Sequence, residues 1–146
     1  MMADAADITM DELAESFELL GDWESRFGYL IDLGKQLPPM DAADKCEAFR
    51  VHGCQAQVWM KLTPRGDGHI DIIADSDAFI VRGLIAVLMM IYSGRTAEEI
   101  LNTDGPAALE RLQLAAHLSP TRKNGLFAMV ERIRELAAAR SADAVN

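Results

Sequence analysis

An alternation of apolar and polar residues over residues 57–74 is the feature that most constrains the fold of this chain. Side chains alternate between the two faces of a β-strand, so a period of two indicates a strand with one buried face. The period continues on both sides of a segment rich in turn-forming residues, with apolar side chains at Val58, Met60, Leu62, Ile70 and Ile72. Residues 57–74 are therefore predicted to form an antiparallel hairpin.

Two helices are predicted before the hairpin. The residues Thr9 and Glu12 form a capping-box pattern, which predicts a first helix with one apolar face formed by Leu13, Phe17 and Leu20. Asp22 is expected to start a second helix that carries the apolar side chains Trp23, Phe27, Leu30 and Ile31. This helix should end before the two prolines at 38–39, because a proline ring cannot continue the backbone ladder.

Three helices are predicted after the hairpin. The segment Asp-Ser-Asp at 75–77 supplies oxygens expected to cap a buried helix containing the apolar run 83–92. A second capping-box pattern at 96–99 predicts a short helix. Ser-Pro at 119–120 predicts the start of a last helix. Its apolar positions follow the helical period: Leu126, Met129, Val130, Ile133, Leu136 and Ala137.

These patterns predict an α+β fold in one compact domain over residues 1–146, with a core at about 9–140 and frayed termini, the last from Ser141 onward. A small antiparallel sheet of about three strands is expected to pack with N-terminal and C-terminal helices. The short alternation over residues 49–52 is a further strand-like pattern. The chain is long enough to bury a core without disulfide bonds.

Charge and cysteine content narrow the possible functions. The net charge of −9 at pH 7 would repel nucleic acids and anionic membranes, so neither is expected as a partner. The longest apolar run, 83–92, has about half the length that crosses a bilayer. Residues 1–7 show no secretory pattern, and the two cysteines are expected to be reduced thiols in the cytoplasm. With no CxxC motif and scattered histidines, no metal site is expected.

Cys54 is the first candidate for chemistry. It follows Gly53 and precedes Gln55, between two apolar strand-like runs. Glycine allows backbone geometry that other residues avoid, and so lets another molecule approach closely. A thiolate is the strongest nucleophile among ordinary side chains. The segment predicts a reactive thiol on a tight turn; the alternative is a small buried hydrophobic residue.

Other residues are considered as helpers of this thiol. Arg122 lies in the first turn of the last helix, where a cation opposes the helix dipole. This placement predicts an anion-stabilising site made by Arg122 and the helix N-terminus, the alternative being a solvated arginine. His52 is a weaker candidate for a base, because the Gly53 turn breaks the strand geometry between it and Cys54. Cys46 is a weaker candidate for a resolving thiol.

Four separated motifs carry a resemblance to a known family. They lie in one order along roughly residues 17–136: Tyr29–Lys35 with Leu37-Pro38, Val51–Trp59, Ala74–Ala78 continuing to Ile80–Leu84, and Leu118–Arg122 with Asn124–Leu126. In these motifs the chain resembles the SufE family of sulfur-acceptor proteins, which work with cysteine desulfurases in iron–sulfur cluster assembly. The resemblance implies a compact α+β domain with Cys54 on a sheltered loop.

The resemblance also implies a function. Cys54 would receive a sulfane sulfur from the persulfide of a SufS-like cysteine desulfurase, stimulate that enzyme, and pass the sulfur to an iron–sulfur scaffold complex. The chain would be a sulfur carrier without independent turnover and without a cofactor of its own, since the pyridoxal phosphate belongs to the desulfurase. Gly53, Gln55 and Arg122 would form the surroundings of the thiolate or persulfide.

Two further points concern single positions. As parts of a matched motif, Asp75 and Asp77 are candidates for contact with the desulfurase as well as for helix capping. The family usually has Ser where this chain has Ala56, so position 56 is assigned no role.

Two other functions remain open at the level of the sequence. A free-standing thiol enzyme, such as a hydrolase or peroxidase, would need a base or a resolving thiol near Cys54 and an oxyanion site. A non-covalent adaptor would use Cys54 only for packing.

Overall fold

The alternating segment forms the predicted hairpin. Strand β1 spans Val58–Pro64 and strand β2 spans His69–Ser76, and they pair antiparallel. The register runs from Val58 opposite Ser76 to Pro64 opposite Ile70, so β1 is paired along its whole length. The buried side of the pair carries the apolar positions predicted from the period, together with Ala74.

The structure, a computed structural model, describes the backbone of residues 9–145 and the side chains of residues 9–140. The N-terminal end expected to fray, residues 1–8, and Asn146 lie outside the described residues. In the described part the hairpin is combined with six helices: α1 (Met10–Leu20), α2 (Trp23–Lys35), α3 (Phe79–Tyr92), α4 (Ala97–Asn102), α5 (Gly105–Arg111) and α6 (Pro120–Val145). The fold class is therefore α+β, as predicted.

The third strand is not the one that the sequence pattern suggested. Strand β3, Arg95–Thr96, pairs antiparallel with β2 and gives the sheet the order β1-β2-β3. The alternating segment 49–52 forms only a single bridge, between Arg50 and Trp59. A 3₁₀ turn at Glu47–Phe49 precedes the bridge and the Gly53 turn follows it, which leaves no room for a longer strand.

Most helix starts agree with the predicted caps. The side chains of Thr9, Asp22 and Thr96 each accept a hydrogen bond from a backbone N–H in the first turn of the helix that follows. Ser119 does the same for α6. No sequence pattern predicted α5, which is capped by Asp104.

Two apolar side chains of the predicted helix faces are less buried than their neighbours on the same face. Leu20 is 37% exposed rather than buried with Leu13 and Phe17, because α1 ends there and the chain turns at Gly21. Leu136 is half-buried. The backbone of α6 is helical to Val145, and the fraying expected from Ser141 stays a prediction. The alanines near its C-terminal end favour this continuation.

The capping predicted for 75–77 is wrong. Strand β2 runs through Ser76, and the N-cap position of α3 is Ala78, which has no side-chain capping bond. The oxygens of this segment are used in other contacts. Ser76 Oγ accepts from the Ala78 N–H, and the carboxylates of Asp75 and Asp77 bind partners outside the segment.

The core is centred on α3, which packs against both α2 and the sheet. The helices α2 and α3 cross at two glycines. A Cβ added at Gly34 would lie 2.6 Å from the Gly83 nitrogen, and one added at Gly83 would lie 2.5 Å from the Leu30 carbonyl oxygen. The close crossing therefore depends on the absence of side chains at these two positions.

Within the described residues, no helix is both long and apolar enough to span a membrane.

Candidate functional site: the Cys54 loop

The Cys54 loop, defined as residues 51–57, is closed at its base by backbone contacts. The Val51 N–H donates to the Val58 carbonyl oxygen at 2.8 Å. Asp77 adds two bonds from the end of β2: its Oδ1 accepts from the Gln57 N–H at 3.0 Å, and its own N–H donates to the Gln57 carbonyl oxygen at 3.2 Å. The thiol is thus carried by a short loop with both ends fixed to the sheet.

Gly53 gives the loop its turn. Its φ of +93° lies in the region that residues with a side chain rarely adopt. A Cβ at this position would also lie 3.2 Å from the Cβ of Ala128 on α6. Both observations explain why glycine precedes the cysteine, and they place the loop directly against α6.

The thiol of Cys54 is half-buried between its loop and α6. Its Sγ donates a weak hydrogen bond to the Gly125 carbonyl oxygen at 3.5 Å. Burial raises the pKa of the Cys54 thiol above its ordinary value, and the positive charge of Arg50 acts in the opposite direction. The resting state at neutral pH is therefore a protonated, sheltered thiol rather than an exposed thiolate.

Cys54 lines a cavity of about 250 Å³. Its wall is formed by Cys54, Gln55 and Ala56 of the loop and by the beginnings of α3 and α6. The exposed Arg122 is part of this wall, and its backbone N–H is held by Ser119 Oγ at 3.3 Å. Cys54, Gln55 and Arg122 are thus brought together around one cavity, while Gly53 faces Ala128.

The two aspartates proposed for docking have internal partners. Asp75 is 15% exposed at its side chain and lies between Lys45 Nζ at 2.9 Å and Arg82 Nε at 3.1 Å. Asp77 is exposed while it closes the base of the loop. Contact of either residue with a desulfurase stays a prediction.

The weaker helper residues are placed away from the wall of this cavity. His52 is exposed, and its Nε2 lies 2.9 Å from Glu47 Oε1. Cys46 is an exposed free thiol that precedes the 3₁₀ turn at 47–49. Among the described residues there is no group of three His, Cys, Asp or Glu side chains that could hold a metal ion.

Arg50 is the site residue that the sequence analysis missed. Its side chain is half-buried, and its Nε is buried without a hydrogen-bond partner in the described part of the chain. Its charge acts on Cys54, although four positions separate the two residues. The available signal was a cation near the thiol in sequence, and no pattern of the sequence singled it out.

Two comparisons with known proteins bear on the family and the fold of the chain. A family model described as "SufE: Fe-S metabolism associated domain" matches residues 11–137. Among solved structures, the chain is similar to the solution structure of a hypothetical protein from Thermus thermophilus. That match has a TM-score of 0.71 and 22% sequence identity, and it covers 94% of this chain and 97% of the other. At this identity the likeness shows the fold alone.

Proposed function

The chain belongs to the SufE family, which is associated with Fe-S metabolism, and from this we propose that it accepts a sulfur atom on Cys54 and carries it toward iron–sulfur cluster assembly. The donor in this proposal is a cysteine desulfurase. The observation that carries the proposal is the placement of Cys54: a half-buried thiol on a short fixed loop that lines a cavity of about 250 Å³.

The proposed transfer is an exchange between sulfur atoms. The Cys54 thiolate attacks the terminal sulfur of the desulfurase persulfide, a new S–S bond forms on Cys54, and the S–S bond of the donor breaks. The donor cysteine leaves as a thiolate, so charge is conserved and no oxidant is required. Removal of its persulfide frees the desulfurase for another substrate molecule, which accounts for stimulation of that enzyme.

A sheltered thiol is suited to carrying rather than to independent turnover. Burial raises the pKa of Cys54, which lowers the thiolate fraction at neutral pH and limits reaction with stray oxidants. The imidazole of His52 binds Glu47, so a Cys54–His52 pair is not formed in the described geometry. We therefore favour a carrier over a free-standing thiol enzyme.

The proposed partners follow from the same step. A pyridoxal-phosphate-dependent desulfurase would supply the sulfur, and an iron–sulfur scaffold complex would receive it, while the carrier needs no cofactor of its own. We place this exchange in the cytoplasm, where thiols stay reduced.

The proposal is tested by the intact mass of the protein after incubation with a cysteine desulfurase, its pyridoxal cofactor and cysteine. We expect the mass to rise by one sulfur atom and to return to its original value after treatment with a reductant. Cys54→Ser should show no gain. Cys46→Ser is the matched control, because it removes the other free thiol and should gain sulfur like the unmodified chain.

Two results would contradict the proposal. The first is an unchanged mass after incubation with active desulfurases of several types. The second is a gain of sulfur that persists in Cys54→Ser and disappears in Cys46→Ser. This result would show that Cys46 rather than Cys54 is the acceptor.

A further inference from the structure

Gly125 is a glycine in the interior of a helix. It lies in the second turn of α6, and it is buried. Glycine is less favourable than alanine inside a helix, because it loses more backbone freedom on folding. Its presence at this position therefore calls for a physical reason.

Packing against the resting thiol does not supply that reason. A Cβ added at Gly125 would have its three nearest neighbours in Cys54, with Sγ at 3.4 Å and both Cα and Cβ at 3.7 Å, which are ordinary contact distances. At Gly34 and Gly83, by contrast, an added Cβ would lie 2.6 Å and 2.5 Å from a backbone atom of the neighbouring helix. The helix crossing thus excludes a methyl group, whereas the thiol of Cys54 tolerates one at position 125.

A second sulfur atom on Cys54 changes this comparison. An S–S bond is about 2 Å long, so the terminal sulfur of a persulfide lies about 2 Å beyond Sγ. The Sγ atom donates to the Gly125 carbonyl oxygen, and both residues line the cavity of about 250 Å³. A methyl group at 125 would already be in contact with Sγ, and it would fill part of the space into which the terminal sulfur turns.

The rest of the cavity wall suits a persulfide. It combines apolar side chains, among them Val81 and Leu84, with the polar groups of Thr121 and Arg122. The apolar groups limit access of water and oxidants, while hydrogen-bond donors suit the negative charge of the terminal sulfur. Space beside Sγ is what allows the added atom to reach this wall.

We infer that Gly125 is a positioning residue that leaves space in the cavity for the terminal sulfur of a Cys54 persulfide. The inference rests on the proposed function, because it assigns the place where the carried sulfur atom is held. A methyl group at position 125 is then expected to affect the persulfide and to spare the thiol.

The test follows the persulfide of Cys54 on the full chain, in a Cys46→Ser background. Sodium polysulfide supplies the sulfur. The Cys54 thiolate attacks a sulfur atom of the polysulfide, a new S–S bond forms on Cys54, and the shortened polysulfide leaves as an anion. Cyanide is then added. It takes the terminal sulfur as thiocyanate, Cys54 leaves as a thiolate, and the rate of this loss is read from the intact mass.

Gly125→Ala should lose the added sulfur to cyanide severalfold faster than the parent chain, because its terminal sulfur is displaced from the cavity toward solvent. With Cys54 as a thiol, the same variant should be at least as stable to urea as the parent chain. The matched control is Gly28→Ala in α2, where an added Cβ has nothing within 4 Å. It should lose sulfur at the rate of the parent chain.

Four results would overturn the inference. The first is a rate of sulfur loss in Gly125→Ala equal to that of the parent chain. The second is an equal acceleration in Gly28→Ala, because the effect would then not depend on the place of the methyl group. The third is a thiol form of Gly125→Ala that is less stable to urea than the parent chain or does not fold, because packing of the resting loop would then require the glycine. The fourth is a parent chain that takes up no sulfur from polysulfide on Cys54.

Polysulfide takes the place of the desulfurase, so this inference and the proposed function can fail separately. Faster loss from Gly125→Ala, together with no sulfur gain by the parent chain from active desulfurases, would support the role of Gly125 and refute the proposed function. Sulfur gain from a desulfurase with equal rates of loss in all variants would support the proposed function and overturn the role of Gly125.

Discussion

Substitution of Gly53 by alanine tests whether the Cys54 loop is held against α6 as described. Two separate effects act at this position. The φ of +93° is strained for a residue with a side chain, and the new Cβ would lie 3.2 Å from the Cβ of Ala128. Gly68 in the hairpin turn separates the two effects, because it has a similar φ of +90° but open space around its Cα.

The expected loss of stability follows from these geometries. Backbone strain of this kind costs about 1–3 kcal/mol, which is partly offset by about 0.4–1 kcal/mol from the lower entropy of the unfolded alanine chain. We therefore expect Gly68→Ala to lower the free energy of unfolding by about 1–2 kcal/mol. Gly53→Ala should lose a further amount of about 1 kcal/mol, because the contact with Ala128 is too short to be accommodated without a shift.

The assay is urea unfolding of Gly53→Ala, Gly68→Ala, Ala128→Gly and the double variant Gly53→Ala/Ala128→Gly. Glycine at 128 removes the opposing methyl group, so the double variant should be more stable than the sum of the two single losses by about 1 kcal/mol. Equal losses for Gly53→Ala and Gly68→Ala, together with additive losses in the double variant, would refute the tight contact between the loop and α6.

Three further predictions concern the same site. Asp77→Ala removes the acceptor of the Gln57 N–H. It should lower the free energy of unfolding by about 1 kcal/mol and speed alkylation of Cys54. A slower alkylation would show that this hydrogen bond does not restrain the loop. The pKa of Cys54 is raised in the folded state. The thiol therefore stabilises the fold below the ordinary thiol pKa of 9.0, and this contribution declines as the pH rises above that value. A thiol ionises over about pH 8 to pH 10. Between these values the free energy of urea unfolding should fall less for Cys54→Ala than for the parent chain. Equal slopes of this free energy against pH would contradict the burial of the thiol. Arg122→Ala should slow sulfur uptake from a desulfurase severalfold. The free energy of unfolding should not change, because the side chain is exposed. Unchanged uptake kinetics would remove Arg122 from the site.

The sequence predicted the elements that are governed by local physical chemistry. The hairpin follows from a period of two over residues 57–74, and the starts of α1, α2, α4 and α6 follow from side-chain oxygens close to the first turn. Each of these signals involves residues only a few positions apart. These signals can therefore be recognised without knowledge of the tertiary structure.

The same local logic failed at residues 75–77. Asp-Ser-Asp before an apolar run is typical of a helix start, but Asp75 binds Lys45 and Arg82 and Asp77 binds Gln57. Lys45 and Gln57 are 30 and 20 positions away from these aspartates along the printed numbering. Contacts of this range compete with capping and cannot be read from a window of a few residues.

The surroundings of Cys54 show a similar division. The cysteine and its glycine were recognisable from composition, since the turn is local. The burial that raises the pKa of Cys54 depends on the path of the loop over α6, where Gly53 lies against Ala128 and Cys54 against Gly125. The electrostatic part of the site is thus a product of tertiary packing.

The crossing of α2 and α3 has a consequence for the thiol at a distance. The two glycines bring the helix axes together on one side of α3, while Val81 and Leu84 of the same helix line the Cys54 cavity. A methyl group at Gly83 would act as a wedge between the helices and displace α3 relative to the loop. The size of the chamber in front of the sulfur atom is therefore set in part by two positions that never touch it.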